Sequence, residues 1–228
     1  MLKNRFGFTL SEVLITLVVI GIVAAIAVPS LMNYTNNQQY KSALKKNFSV
    51  LSQAFRLAST LDNDDFLDWE YVQSGTFATK VYNKLSKYWY IQKDCGLTNR
   101  NDCWADKTYA FSRRRYSNWF INEGKWSGGG DAYGFVLNDG TFVFLNIFSE
   151  SAMNDMGISE NIIAKASVGF LVDVNGAKGP NTVGKDIHAF GLTTKGLVPA
   201  GIDDNSQNCN IKNIAHNCNW DCTAKMFK

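Results

Sequence analysis

Apolar residues run almost unbroken from Phe8 to Val28 (FTLSEVLITLVVIGIVAAIAV), and Glu12 is the single charge among them. As a helix rising 1.5 Å per residue, this stretch is about 31 Å long, close to the thickness of a bilayer's hydrocarbon core. After Pro29 the pattern turns amphipathic. Leu44, Phe48, Leu51, Phe55 and Ala58 recur at helical spacing, while Lys41, Lys45, Lys46, Ser52 and Arg56 fall off that stripe. The helix is expected to end near Thr60, ahead of Asp62-Asn63-Asp64-Asp65. Unbroken from Phe8 to Thr60 it would be about 80 Å long, and its apolar stripe needs a cover. The remaining chain supplies strands for that purpose. Asp131–Leu137 and Thr141–Phe148 flank Asn138-Asp139-Gly140, a strong hairpin signal. Ser167–Val174 and Ile187–Leu192 read as further strands. Between Asp62 and Leu97 the pattern predicts a short helix or irregular structure, including Thr79–Tyr90, and Glu123–Gly130 reads as a flexible loop. No internal repeat is evident. The layout is α+β, a long N-terminal helix laid on an antiparallel sheet.

Three accounts of the apolar segment compete. A secretory signal peptide would have the basic start, the apolar run and an A-x-A site at Ala25-Ile26-Ala27, leaving a soluble exported protein after cleavage behind Ala27. An uncleaved signal anchor would serve an enzyme or binding module. Neither accounts for Glu12, because a carboxylate inside an apolar span costs roughly 2.5–3.5 kcal/mol and asks for a partner. Lys3 and Arg5 upstream place the N-terminus in the cytoplasm and the rest outside. Gly21 and Ala25, four apart, would let helices approach closely in lipid. Gly21 and Pro29 also mark points where the helix would kink or melt.

The third account rests on Gly7-Phe8-Thr9-Leu10-Ser11-Glu12 behind a short basic leader. This junction closely resembles that of type IV pilins and type II secretion pseudopilins. The resemblance implies a pilin-like fold and a prepilin peptidase that cuts after Gly7 and methylates the new amine of Phe8. It also implies an assembly role for Glu12, whose carboxylate neutralises the Phe8 amine of a neighbouring subunit and sets the axial stagger. The parts of such a chain are a leader (residues 1–7), a transmembrane and assembly helix (8–28), an amphipathic helix entering the head (29–60) and an extracytoplasmic head (61–228). The implied partners are other copies and related pilin-like subunits, the peptidase and an inner-membrane assembly platform. The resemblance is close over Met1–Tyr34 and looser over the head.

Composition narrows the field further. With 46% hydrophobic and 19% charged residues the 228-residue chain is not disordered. Its formal charge of +3 falls to +1 without Lys3 and Arg5, so the body is near neutral. Phe111-Ser112-Arg113-Arg114-Arg115-Tyr116 and Trp119-Phe120 interleave cations with aromatics, as in a DNA-uptake subunit binding single strands. The near-neutral body favours a surface loop instead, and a nucleic-acid partner is not expected. Two histidines leave little for multi-His metal chemistry, and no nucleophile elbow, phosphate loop, HExxH or dinucleotide fingerprint is present, so no enzyme is expected.

All five cysteines, Cys95, Cys103, Cys209, Cys218 and Cys222, lie in the expected extracytoplasmic head, where disulfides form. Cys95 and Cys103 bracket a short loop and are expected to pair. Two of the last three are expected to pair as well, in a connectivity the spacing leaves open. A zinc site from Cys209, His216, Cys218 and Cys222 is the less favoured alternative. Residues 173–186, DVNGAKGPNTVGKD, form the most distinctive stretch of the head. Asp173, Asn175, Asn181 and Asp186 offer oxygens of the kind calcium takes, six to eight at a time. The glycine spacing is not that of an EF-hand. Major type II secretion pseudopilins are similar in carrying a calcium loop after the helix and sheet, without a residue-by-residue match here. The alternative is a turn held by Asp and Asn side chains bonding to the backbone.

Overall fold

The computed structural model describes residues 7–62, 77–97, 103, 132–147, 153, 157–158, 168–202 and 220–227. It falls into two compact units, Met1–Gln39 and Tyr40–Lys228. Helix α1 (Leu10–Leu61) runs through both, with Pro29 inside it. Pro29 deletes one backbone bond but does not end the helix, since the bonds on either side continue the ladder.

Beyond α1 come α2 (Phe77–Leu85) and a 3₁₀ turn (Ser86–Tyr88). Six strands follow: β1 (Ile91–Gly96), β2 (Tyr133–Leu137), β3 (Phe142–Ile147), β4 (Val168–Asp173), β5 (Ile187–Thr193) and β6 (Gly196–Pro199). A 3₁₀ segment, Trp220–Phe227, lies near the C-terminus. The strands form one antiparallel sheet in chain order, β1 to β6. This is the expected α+β layout. The β2–β3 hairpin closes through Gly140, whose φ of 84° is the left-handed conformation that the Asn-Asp-Gly signal implies.

Side chains alternate across β3, β4 and β5, and the two faces have different cores. Val143, Leu145, Phe170, Val172, Phe190 and Leu192 share one core with Leu44, Leu51, Phe55 and Ala58 of α1. Phe55 meets Phe170 edge-on at 5.7 Å, and Phe48 tilts against Phe190 at 5.4 Å. The opposite face buries Phe142, Phe144, Leu171, Ile187 and Ala189 with Met153 and Ile158. Burial on both sides is why β3, β4 and β5 read as near-continuous apolar runs. Fully burying each such Leu, Ile or Phe contributes about 1.5–3 kcal/mol.

Three elements go beyond the pattern. β1 is an edge strand whose pairing with β2 shifts register twice, so its residues do not alternate cleanly. β6 has four residues, too few to carry a period. The C-terminal 3₁₀ segment docks where β6 stops. Thr223 Oγ1 accepts the Ala189 N–H at 3.0 Å, the Ala224 N–H donates to the Ala200 carbonyl at 2.9 Å, and Phe227 packs edge-on against Phe48 at 5.0 Å.

His188 of β5 is fully buried and stands opposite Val172. Its Nε2 lies 3.2 Å from the Lys185 carbonyl, while Nδ1 has no partner. Burial pushes its pKa down to about 4 from the ordinary 6.5. The unfolded chain therefore takes up this proton first, and head stability is lost as pH falls from 6.5 towards about 4. In denaturant titrations of the full chain in detergent, the parent should lose about 3 kcal/mol relative to His188→Gln over that window, since Asp173 and Asp186, whose raised pKa values act in the opposite sense, contribute to both proteins. An unchanged slope in the variant would refute this assignment.

Candidate functional site

Two places hold chemistry: the start of α1 and the glycine loop between β4 and β5. At the first, Phe8 and Leu10 are exposed, and every described side chain from Gly7 to Gln39 faces outward. Glu12 is the sole charge in that stretch. Its Oε2 accepts the Thr9 N–H and the Thr9 hydroxyl, both at 2.8 Å. In return the Thr9 oxygen accepts the Glu12 N–H at 3.2 Å. This is a capping box, which satisfies backbone donors that the first helical turn leaves open. Its signature, Thr-x-x-Glu, is present in the sequence, yet charge burial alone does not reveal it. Farther along, Thr16 and Thr35 turn their hydroxyls back to the carbonyls of Val13 and Leu31, each at 2.9 Å. The helix thus presents an apolar surface with one anchored carboxylate near its tip. Such a group can pair with an ammonium. By length and composition α1 can cross a membrane, a test that a signal sequence would also pass.

The glycine loop holds its four candidate residues, Asp173, Asn175, Asn181 and Asp186, by bonds to its own backbone. Asp173 ends β4 and is buried, as is Asp186. The Asp186 carboxylate accepts the N–H of Asn181 at 2.7 Å and of Thr182 at 2.6 Å. Asp173 accepts the Asn175 N–H at 3.2 Å, and the Asn175 amide donates to the Gly179 carbonyl at 3.0 Å. The Asn181 amide, with its nitrogen turned inward, donates to the carbonyls of Gly176 at 3.2 Å and Lys178 at 2.9 Å. Asn181 sits at φ 49°, a conformation that asparagine tolerates. The loop is therefore held by side chains bonding to its own backbone. Burial, then the neighbouring Asp186 charge, holds the Asp173 carboxyl well above the usual carboxylate range. Burial also raises Asp186, against the opposing pull of the Thr182 and Asn181 N–H groups. Asn175 Oδ1 is buried without a hydrogen-bond partner. Among the described residues no cluster of three or more His, Cys, Asp or Glu side chains is present. A cation here would draw on two carboxylates and neutral oxygens, a set that suits calcium and not zinc.

The loop is tied to α1 and to the β2–β3 turn. Tyr40 of α1 lies beside Asn175 and in the field of Asp186 and Asp173. Buried Asn47 donates to Thr141 Oγ1 at 2.9 Å, and Lys46 pairs with Asp139 at 2.8 Å. Neither link is readable from the apolar stripe, which Asn47 interrupts.

Cys95 and Cys103 form a disulfide, with Cα atoms 6.3 Å apart. Cys209, His216 and Cys218 lie outside the described residues, as do the stretches Phe111–Tyr116 and Trp119–Phe120, and only the backbone of Cys222 is described.

Residues 2–28 match the family model described as the prokaryotic N-terminal methylation motif. No curated protein and no solved structure matches the chain.

The close approach of the loop to the hairpin gives a direct test. A Cβ on Gly176, at φ 64°, would lie 2.5 Å from the Gly140 carbonyl oxygen, whereas one on Gly140 would meet open space. Gly176→Ala should cost about 2–4 kcal/mol in chemical denaturation, against about 1–2 kcal/mol for the backbone strain of Gly140→Ala. Equal losses would refute the contact.

Proposed function

We propose that this subunit of the type IV pilin and pseudopilin family, marked by its prepilin-type N-terminal methylation motif, is stored as a single-pass protein of the inner membrane. Its N-terminus lies in the cytoplasm and its pilin-like head outside. A prepilin peptidase cuts between Gly7 and Phe8 and methylates the Phe8 amine. The cut subunits polymerise on an inner-membrane platform into a helical filament, with helices inside and heads outside. A type II secretion pseudopilus that drives protein export is the favoured machine, and a type IV pilus the next.

The observation that carries this reading is Glu12, the one charge in the exposed, apolar stretch Phe8–Val28. An uncompensated charge is costly in lipid. A freshly cut amine on Phe8 of an adjoining subunit supplies the opposite charge at one axial offset, which offsets the cost and fixes the stagger. The rest of the exposed run, Leu14, Val18, Ile22 and Ile26 among it, can serve in lipid as a membrane anchor and between subunits as a packing surface. Gly21 and Ala25 permit close helix approach there. No catalytic residue is assigned.

The mass of the native chain tests the processing. An N-terminus at methylated Phe8 is expected, and a start at Val28 or retention of residues 1–7 would overturn it. Glu12→Ala should still be cut, yet its recovery in cross-linked filaments should fall by about tenfold or more, the scale of one unmet charge in lipid. Normal recovery would count against the pairing.

The glycine loop supports a second, smaller assignment, a calcium ion held by Asp173, Asp186 and neighbouring oxygens. The buried, unpartnered Asn175 Oδ1 beside two buried carboxylates favours it. Bound calcium would supply the positive charge that lets both carboxylates stay ionised, so its stabilising effect should fade in acid. Chelation at neutral pH should lower the Tm of the head by several degrees, and Asp186→Asn should abolish the response. An unchanged Tm retires the assignment.

A further inference from the structure

We propose that Tyr82, Tyr133 and Asp94 form an oxidation site in the head, at which an outer-sphere one-electron oxidant joins the two phenols into a dityrosine cross-link. The three residues come from three elements, α2, β2 and β1. The rings of Tyr82 and Tyr133 stack with centroids 4.0 Å apart and planes 21° from parallel. Both hydroxyls donate to one oxygen, Oδ2 of Asp94, at 3.2 Å and 2.9 Å. The phenol ends therefore turn to the same side of the stack. Asp94 Oδ1 accepts the Gly96 N–H at 2.9 Å, which steadies the carboxylate beside them. The two rings are buried, while Asp94 is exposed.

A neutral phenol gives up an electron far more readily when its proton leaves in the same step, to a base already in hydrogen-bond reach. Burial, and then the Asp94 charge, raises the Tyr82 hydroxyl above the usual phenol range, and burial pushes Tyr133 up to about 12. Both phenols thus keep their protons at neutral pH. Asp94 touches each proton and stands in water, so it can take one, release it and take the next. The neighbouring oxidisable groups lack this arrangement. Cys95 is already oxidised, in its disulfide with Cys103. Trp89 stacks on Phe135 at 4.9 Å, and Phe135 lies 5.3 Å from Tyr82. The buried Trp89 Nε1 has no hydrogen-bond partner to take its proton, so an electron lost there is replaced from Tyr82 across Phe135.

Each tyrosine passes one electron to the oxidant and one proton to Asp94, which returns it to water. The two phenoxyl radicals join by a carbon–carbon bond between ring carbons ortho to the oxygens. The hydrogens displaced from those carbons move to the oxygens and restore the phenols. Two electrons and two protons leave in all, and two equivalents of oxidant are reduced. The new bond fastens α2 to the sheet.

The test uses the full chain in detergent, diluted so that chains do not meet, with tris(bipyridine)ruthenium(III) generated by light and persulfate. The parent monomer should lose the mass of two hydrogens, gain dityrosine fluorescence and yield on digestion a peptide joining Tyr82 to Tyr133. Tyr82→Phe and Tyr133→Phe should each abolish that peptide, while Tyr90→Phe, which alters an exposed ring, should leave it unchanged. Asp94→Asn keeps an acceptor oxygen beside the hydroxyls but cannot take a proton. It should slow the initial rate of cross-linking about a hundredfold, and added acetate, an external base, should restore part of the loss. A parent cross-link between other tyrosines, oxidation of Trp89 without the Tyr82–Tyr133 peptide, an Asp94→Asn rate equal to the parent's, or a slow Asp94→Asn rate that acetate leaves unchanged would each overturn the proposal. The cross-link map of the parent needs no variant, so it decides the site even where a substitution disturbs the fold.

Discussion

The head depends on covering one stripe of α1. Leu44, Leu51, Ala54, Phe55 and Ala58 are buried to within a few per cent, and they lie on a helix whose other face carries lysines and an arginine. A helix of this kind is not stable in water by propensity alone; its apolar side has to be covered. The sheet provides that cover with Val143, Leu145, Phe170, Val172 and Phe190. Phe48 extends it towards the C-terminal segment through Phe227. The buried polar exception Asn47 is matched at its amide nitrogen, while its Oδ1 has no hydrogen-bond partner. Asn47 meets Thr141, and Thr141 in turn reaches the Val174 carbonyl.

The same helix answers to two environments. From Phe8 to Val28 its surface is apolar all round, which suits lipid or other helices. From Tyr40 onward it is apolar on one side only, which suits a sheet. Within the first half several exposed polar groups bond back to the helix itself. Thr9 and Glu12 bond to each other, and Thr16 bonds to a backbone carbonyl. Within the second half some polar groups reach other elements, as Lys46 reaches Asp139, while Gln53 donates to Ser49 on the helix itself.

Much of this was legible in the sequence because it depends on period and on turn chemistry. The apolar run and the stripe define α1, and Asn138-Asp139-Gly140 defines the hairpin. The long apolar runs of β3, β4 and β5 stand out for the same reason. The Cys95–Cys103 pair followed from a short loop in an oxidising setting. What escaped has local causes. β1, Ile-Gln-Lys-Asp-Cys-Gly, is bulged at an edge and has lost its alternation. Gly-Leu-Val-Pro is too short to have one. The 3₁₀ segment Trp220–Phe227 has no strand or α-helix period, and only tertiary bonding to Ala189 and Ala200 gives it a place. At the glycine loop the four oxygen-bearing residues were visible. That their amides and carboxylates would close on the loop's own backbone was not, because that depends on which way each side chain turns.

The order of strands has a consequence for how the head is built. Each strand pairs with its neighbour in sequence, from β1 through β6. A chain delivered N-terminus first can therefore add strands one at a time, without waiting for a distant partner. The exception is the last turn. The Ala189 N–H and the Ala200 carbonyl are served only when Thr223 and Ala224 arrive. Until then the far margin of the sheet has open backbone groups, and the aromatic pair of Phe48 and Phe190 lacks its third ring. Completion of the head thus waits for a segment more than twenty residues beyond the last strand, and a head without it would leave those backbone groups and rings uncovered.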